Sequence, residues 1–420
     1  MEIPIPYGQE HVSVRVPDEN VLAVVHPNRV NIAPERETLL GALEHPVKSP
    51  SFYEFLDDAR DVLFIVNDGT RPTPTAKVLE ILHERIRGID SRFIVATGAH
   101  REPTEEEFRF IFGRLYGELR DRVHVHDSHD SSQMIHVGTS RNGTEMYVNR
   151  LGVEAHKLMV IGSVEPHYIA GYTGGRKFFL PGIASYGTVE RNHSYAISPD
   201  VRPLALAGNP VHEDMMDAMG TLGDKEIFSI QLVLDRDRRI YAAAAGDING
   251  SFDAAIERAN EVFCVPLDKK ADIVISVAPY PMDIDLYQSQ KALDNSKLAL
   301  KDGGVTIMVS KCRKGVGEEA FLDLLGSAST PEEIMEKIAG EYKLGYHKAA
   351  KMAQIGTWAS IYGVTDLPFE TMNKAHLKPF ASVQEALDAA ILEIKGKGRE
   401  PTLVIMPAGS LTIPLVRGDY

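Results

Sequence analysis

The chain has 420 residues, 44% hydrophobic and 25% charged, which is the composition of a globular protein long enough for two domains or three. Lysine and arginine total 45 against 59 aspartates and glutamates, a net charge of −14, and this argues against a nucleic-acid partner, whose binding draws on cationic surface. The two cysteines, Cys264 and Cys312, form no Cys-x-x-Cys pair, and no apolar run reaches the roughly 18 residues of a membrane helix. No signal peptide is visible in MEIPIPYGQEHVSVRV, so a cytoplasmic protein with no membrane association is expected.

In chain order, Val62–Val66 reads as a buried strand, short and β-branched, and residues 93–96 and 158–164 read the same way. A helix between the first two has Thr73 as its cap, Pro74 in its first turn and Val78, Leu79, Leu82 and Ile86 as its apolar stripe. Another begins at Thr104, with Glu107 three residues on as a capping box. Residues 227–234 and 239–245 read as a hairpin. A second alternating block starts near 271: strand ADIVISVA, helix LYQSQKALDNSKLAL, strand GGVTIMVSK, helices near 317–325, 331–339 and 345–358, a strand at 359–364, a helix near 383–395 and a last strand, TLVIMP. Strands alternating with helices imply an α/β fold: two domains with mostly parallel sheets flanked by helices, and an active site in the cleft between them. The expected division is 1–265 for the N-terminal domain and 271–400 for the C-terminal one. The strand within 401–420 either stays there or returns to the first domain.

Polar residues follow four of these strands: Asn67–Pro72, Thr97–Arg101, Glu165–His167, and a loop with Asp283 and Asp285 that leads to Tyr287, Gln288 and Lys291. Ligands in open α/β sheets bind at the carboxyl ends of strands, so these loops predict one composite site. Gly171, Gly174 and Gly175 allow close backbone approach to a ligand, and Arg176 beside Lys177 favours a nucleophilic amine. His100 and His167 suit an acid and a base, and Arg71 suits a bidentate carboxylate clamp. VHVHDSHD resembles a metal motif, but reads better as a strand end with His124 and His126 on one face. Trp358 reads as packing or as a cleft wall.

The stretches NDGTRPTPT (67–75), ATGAHR (96–101), EPHYIAGYTGGRKFFLPGIAS (165–185), ERNH (190–193) and DIDLYQSQKAL (283–293) together resemble the nickel-pincer lactate racemase family. The resemblance implies a 2-hydroxyacid racemase or epimerase that works by reversible hydride transfer through a 2-keto acid. The cofactors implied are nickel and a nickel-pincer nucleotide, pyridinium-3-thioamide-5-thiocarboxylic acid mononucleotide. By motif position Lys177 would carry that cofactor, with Gly174, Gly175 and Arg176 around it, and His193 would bind nickel. His100 and His167 would be the acid/base pair, with Asp68 tuning one of them. Arg71, Gln288 and Lys291 would hold the substrate, with Tyr287 and Trp358 lining the site. The implied partners are a small 2-hydroxycarboxylate, the proteins that build the cofactor, and a second copy of the chain in a homo-oligomer. Two other readings stay open at this point: a metal-dependent hydrolase, and a non-catalytic protein that only holds the cofactor.

Overall fold

The computed structural model describes residues 1–57 and 59–418. The chain forms two compact units: Arg29–Val262, and Met1–Asn28 joined to the chain from Phe263 onward. Each is built on one six-stranded, largely parallel sheet flanked by helices.

In the Arg29–Val262 unit the sheet order is Ile240–Asp247, Glu226–Leu234, Lys157–Ser163, Val62–Asn67, Ser91–Ala96, Val123–Val125. All neighbours are parallel except the first two strands, which form the expected hairpin. The central strands read as continuous apolar runs because helices cover both faces of a parallel sheet. Val62–Val66 is wholly buried, and Phe64 stacks on Phe93 at 4.8 Å.

Helix Thr75–Ile86 turns Val78, Leu79, Leu82 and Ile86 into the same core. Its N-cap is Pro74, not Thr73. The Thr73 hydroxyl instead donates to Asn67 Oδ1 at 2.8 Å and shares a 2.8 Å bond with Ser163, tying together the ends of two adjacent strands. The Thr104–Glu107 capping box forms on helix Glu105–Phe112. Glu107 also takes both arms of Arg101, at 2.8 and 2.9 Å, which anchors the residue after His100.

In the other unit the sheet order is Lys378–Pro379, Ser360–Val364, Leu300–Val309, Ala271–Val277, Leu403–Met406, Val21–Val24, all parallel. The start of the chain therefore differs from the expected 1–265 grouping. Val21–Val24 pairs with Leu403–Met406, and the hairpin Glu2–Tyr7/Glu10–Arg15 buries Ile3, Ile5 and Val14 against Ile273, Ile275 and Val277. The strand Leu403–Met406 stays in this sheet, between Ala271–Val277 and Val21–Val24, and does not join the other. Among the described residues no helix is long and apolar enough to cross a membrane.

Candidate active site

Three neighbouring parallel strands of the Arg29–Val262 unit end in the loops that carry Asp68 and Arg71, His100, and His167. The strand before Asp68 lies between the other two, so the histidine loops leave the sheet about 10 Å apart, two strand spacings, astride Asp68. Asp68 is buried, while the His100 side chain is 44% exposed. Asp68 Oδ2 lies 2.8 Å from His100 Nδ1, and Oδ1 accepts from the Thr70 hydroxyl at 2.7 Å and the Thr70 amide at 3.2 Å.

Burial by itself would raise the Asp68 pKa. The His100 contact, the Thr70 bond and the Arg71 charge outweigh it and hold the carboxyl below its ordinary value. A depressed carboxylate pKa stabilises the fold above the unfolded value, about 3.9, and that stability is lost as pH falls through the lower folded value. Acid unfolding of the Asp68→Asn protein is therefore expected to show a shallower loss of stability below about pH 4 than the wild type. Identical acid limbs would contradict this.

Arg71 lies 4.0 Å from Glu165, so the Asp68 loop reaches the loop of His167. His167 is buried, and its Nδ1 accepts from the amides of Ile169 at 3.3 Å and Ala170 at 3.2 Å.

The turn Gly175–Phe178 packs on strands Val62–Asn67 and Lys157–Ser163. Gly162 makes this seat possible, since a Cβ there would collide with the Phe178 ring. Gly162→Ala is expected to cost about 1–3 kcal/mol, read as a lower denaturant midpoint; an unchanged midpoint would show that the ring moves freely. Among the described residues 171–180, Lys177 alone is partly exposed.

The space a Cβ would take at Gly174 (φ +81°) is filled by Gln231 and Val164, and that at Gly175 by Phe252, so the close packing of the loop requires glycine at both positions. Arg176 is 1% exposed, donates to the Gly174 carbonyl at 3.3 Å and to the Ala170 carbonyl, and lies 4.5 Å from the centre of the Phe252 ring. Burial pushes its pKa down to about 9. It braces the loop from inside and has no surface left to offer a phosphate.

His193 sits in the last turn of helix Tyr186–Ser194. The preceding Asn192 is fully buried and donates to the Val211 carbonyl at 3.1 Å and to Asp214 at 3.0 Å, which fixes the rotation of the helix. This helix and the Lys177 turn both rest on helix Pro210–Gly220.

The conspicuous His124–His129 stretch is structural. The strand ends at Val125, so His124 stays exposed while His126 turns inward. His126 donates from Nε2 to the Ala184 carbonyl at 2.9 Å, and burial pushes its pKa down to about 4.

In the other unit Asp285 caps helix Leu286–Ser296, accepting from the Gln288 amide at 2.6 Å. Gln288 and Lys291, three apart, share one helix face. Tyr287 is held edge-on by Phe321, with ring centroids 5.6 Å apart, and by Lys348, whose Nζ lies 3.8 Å from the ring centre and donates to the Tyr287 carbonyl. Lys348 and Lys351 are both buried, and burial together with the Lys297 charge pushes Lys351 down to about 8. The sequence predicts only a helix near 345–358 and singles out neither lysine. Trp358 is not brought to this group. It packs with Val25, Leu267 and Leu300, and its carbonyl accepts from Gly303, at the amino edge of the sheet; Tyr287 and Gln288 follow the carboxyl end of Ala271–Val277.

Models of the lactate racemase N-terminal and C-terminal domains match residues 7–202 and 267–413. The lactate racemase of Thermoanaerobacterium thermosaccharolyticum is 32% identical over 404 residues, covering 92% of this chain and 94% of that protein. The chain belongs to the lactate racemase family.

The Lactiplantibacillus plantarum lactate racemase is a further member, 31% identical over 97% of this chain and 98% of its own. The lactate racemase apoprotein structure from T. thermosaccharolyticum superposes with a TM-score of 0.92 at 31% identity, covering 99% of this chain and all of that one. A Thermotoga maritima protein at 18% identity, with a TM-score of 0.66 over 89% of this chain, shares the fold. As a member of the lactate racemase family the protein is an isomerase. Among the described residues no three His, Cys, Asp or Glu side chains are grouped to hold a metal ion. A histidine and a lysine on two elements that rest on the same helix suit a metal whose other donors arrive on a bound group, so the residues present fit a lysine-tethered cofactor.

Proposed function

We propose that the protein racemises or epimerises a small 2-hydroxy acid with a nickel-pincer nucleotide held by Lys177 and His193. The observation that carries this reading is the Asp68–His100 pair, with His167 in the loop of a third strand at the same sheet edge, an acid/base arrangement that a storage protein does not need. The α-hydrogen of a 2-hydroxy acid is a poor acid, because its loss as a proton would put a second negative charge beside the carboxylate. When bound, the cofactor supplies an acceptor that takes this hydrogen as hydride and returns it. The protein handles the rest. His100, oriented by Asp68, takes the hydroxyl proton, and His167 serves the oxygen on the other side. Arg71 neutralises the carboxylate. The proteins that build the cofactor are the proposed partners.

Protein made alongside the cofactor machinery, incubated with single enantiomers of a panel of 2-hydroxy acids, is expected to generate the opposite enantiomer or epimer of at least one. Protein that carries the Lys177 adduct and nickel yet changes none of them would instead be a cofactor carrier.

A further inference from the structure

The Nδ1 atoms of His100 and His167 make opposite kinds of hydrogen bond. His100 Nδ1 faces Asp68 Oδ2 at 2.8 Å, and a carboxylate only accepts, so Nδ1 carries the hydrogen and Nε2 keeps its lone pair. His167 Nδ1 faces two backbone amides, those of Ile169 and Ala170, and amides only donate. Its lone pair is therefore on Nδ1 and its hydrogen on Nε2.

Those amides are held in place. The strand pair Pro166–His167 and Gly171–Tyr172 closes the turn. The Ile169 carbonyl accepts from Asn209 Nδ2 at 2.9 Å, and the Ala170 carbonyl accepts from the buried Arg176. Asn209 is fully buried and also caps helix Pro210–Gly220 through Oδ1.

We infer that the two histidines are built as opposite tautomers, His100 presenting a bare Nε2 and His167 an Nε2–H, with Asn209 and Arg176 as the positioning residues that set the second. This deepens the racemase reading and rests on it for its consequence. An oxygen at His100 meets a proton acceptor, and one at His167 meets a donor. For His167 to accept at Nε2, a hydrogen must move onto Nδ1, against two amide hydrogens. The hydroxyls of the two enantiomers are then not met alike.

The test is a long-range proton–nitrogen NMR spectrum of the full-length apoprotein labelled with ¹⁵N-histidine at neutral pH. Signals are assigned by their loss in His100→Gln and His167→Gln. The expected pattern is a pyridine-type Nε2 in His100 and a pyridine-type Nδ1 in His167. The same tautomer in both, or a doubly protonated His167, overturns the inference. Asn209→Ser keeps a capping oxygen but loses the donor to Ile169, and Arg176→Lys weakens the other brace. Each is expected to give a mixed His167 tautomer while His100 is unchanged. A His167 pattern that stays pure in folded Asn209→Ser overturns the positioning role, and this arm holds even where Arg176→Lys does not fold. The spectrum needs neither cofactor nor substrate, so absence of racemisation would count against the proposed function and leave the tautomer assignment intact.

Discussion

Replacing Lys177 by alanine is expected to remove the covalent adduct and drop racemisation to background, with the melting temperature essentially unchanged. Lys177 is the one partly exposed residue between Gly171 and Leu180, a stretch that Phe178 and Arg176 brace. Loss of the lysine therefore leaves the Phe178 seat on Gly162 and the Arg176 brace intact. Lys177→Arg makes the sharper control. It keeps the positive charge but offers no nucleophilic amine, so it should behave like alanine if the lysine is a tether. Intact mass and chiral product analysis read the two effects separately. An adduct that persists in either variant would place the attachment elsewhere.

Asp68→Asn is the second large effect, with turnover falling roughly 10²–10⁴-fold and KM for substrate changing little. Asp68 touches His100 and Thr70, so it acts on the reaction through the imidazole. The asparagine amide is nearly isosteric, yet it can donate to Nδ1 and so favour the tautomer with its hydrogen on Nε2, where the hydroxyl proton has to go. It also removes the charge that stabilises the imidazolium. A loss confined to KM would show that Asp68 acts on binding and does not orient the base.

Much of the fold and part of the site could be read from the residues. Buried parallel strands are continuous apolar runs, so Val62–Val66 and Ala271–Val277 stood out, and the Thr104–Glu107 box marked a helix start by its own hydrogen bonds. The loops after Val62–Asn67, Ser91–Ala96 and Lys157–Ser163 carry Asp68, His100 and His167, and strand order puts them on one edge. What escaped depends on long-range packing. The hairpin Glu2–Tyr7/Glu10–Arg15 lies far in sequence from the strand residues it covers, Ile273 and Val277 among them, so the expected 1–265 grouping puts it with the wrong sheet. Arg176 and the glycines before it carry the residue types of a phosphate loop, yet their surroundings are Gln231, Val164 and Phe252, far off in sequence. Trp358 and the buried Lys348 likewise take their roles from neighbours that no local pattern reveals.

In the proposed reaction the α-hydrogen moves as hydride within the protein and is not exchanged as a proton. One enantiomer of the substrate, deuterated at the α-carbon, is turned over in ordinary water by the cofactor-loaded protein, and the opposite enantiomer is isolated at low conversion. The product is expected to keep its deuterium. Product in which deuterium has been replaced by solvent hydrogen, while the remaining substrate keeps its label, would contradict it and point to proton abstraction by the histidines.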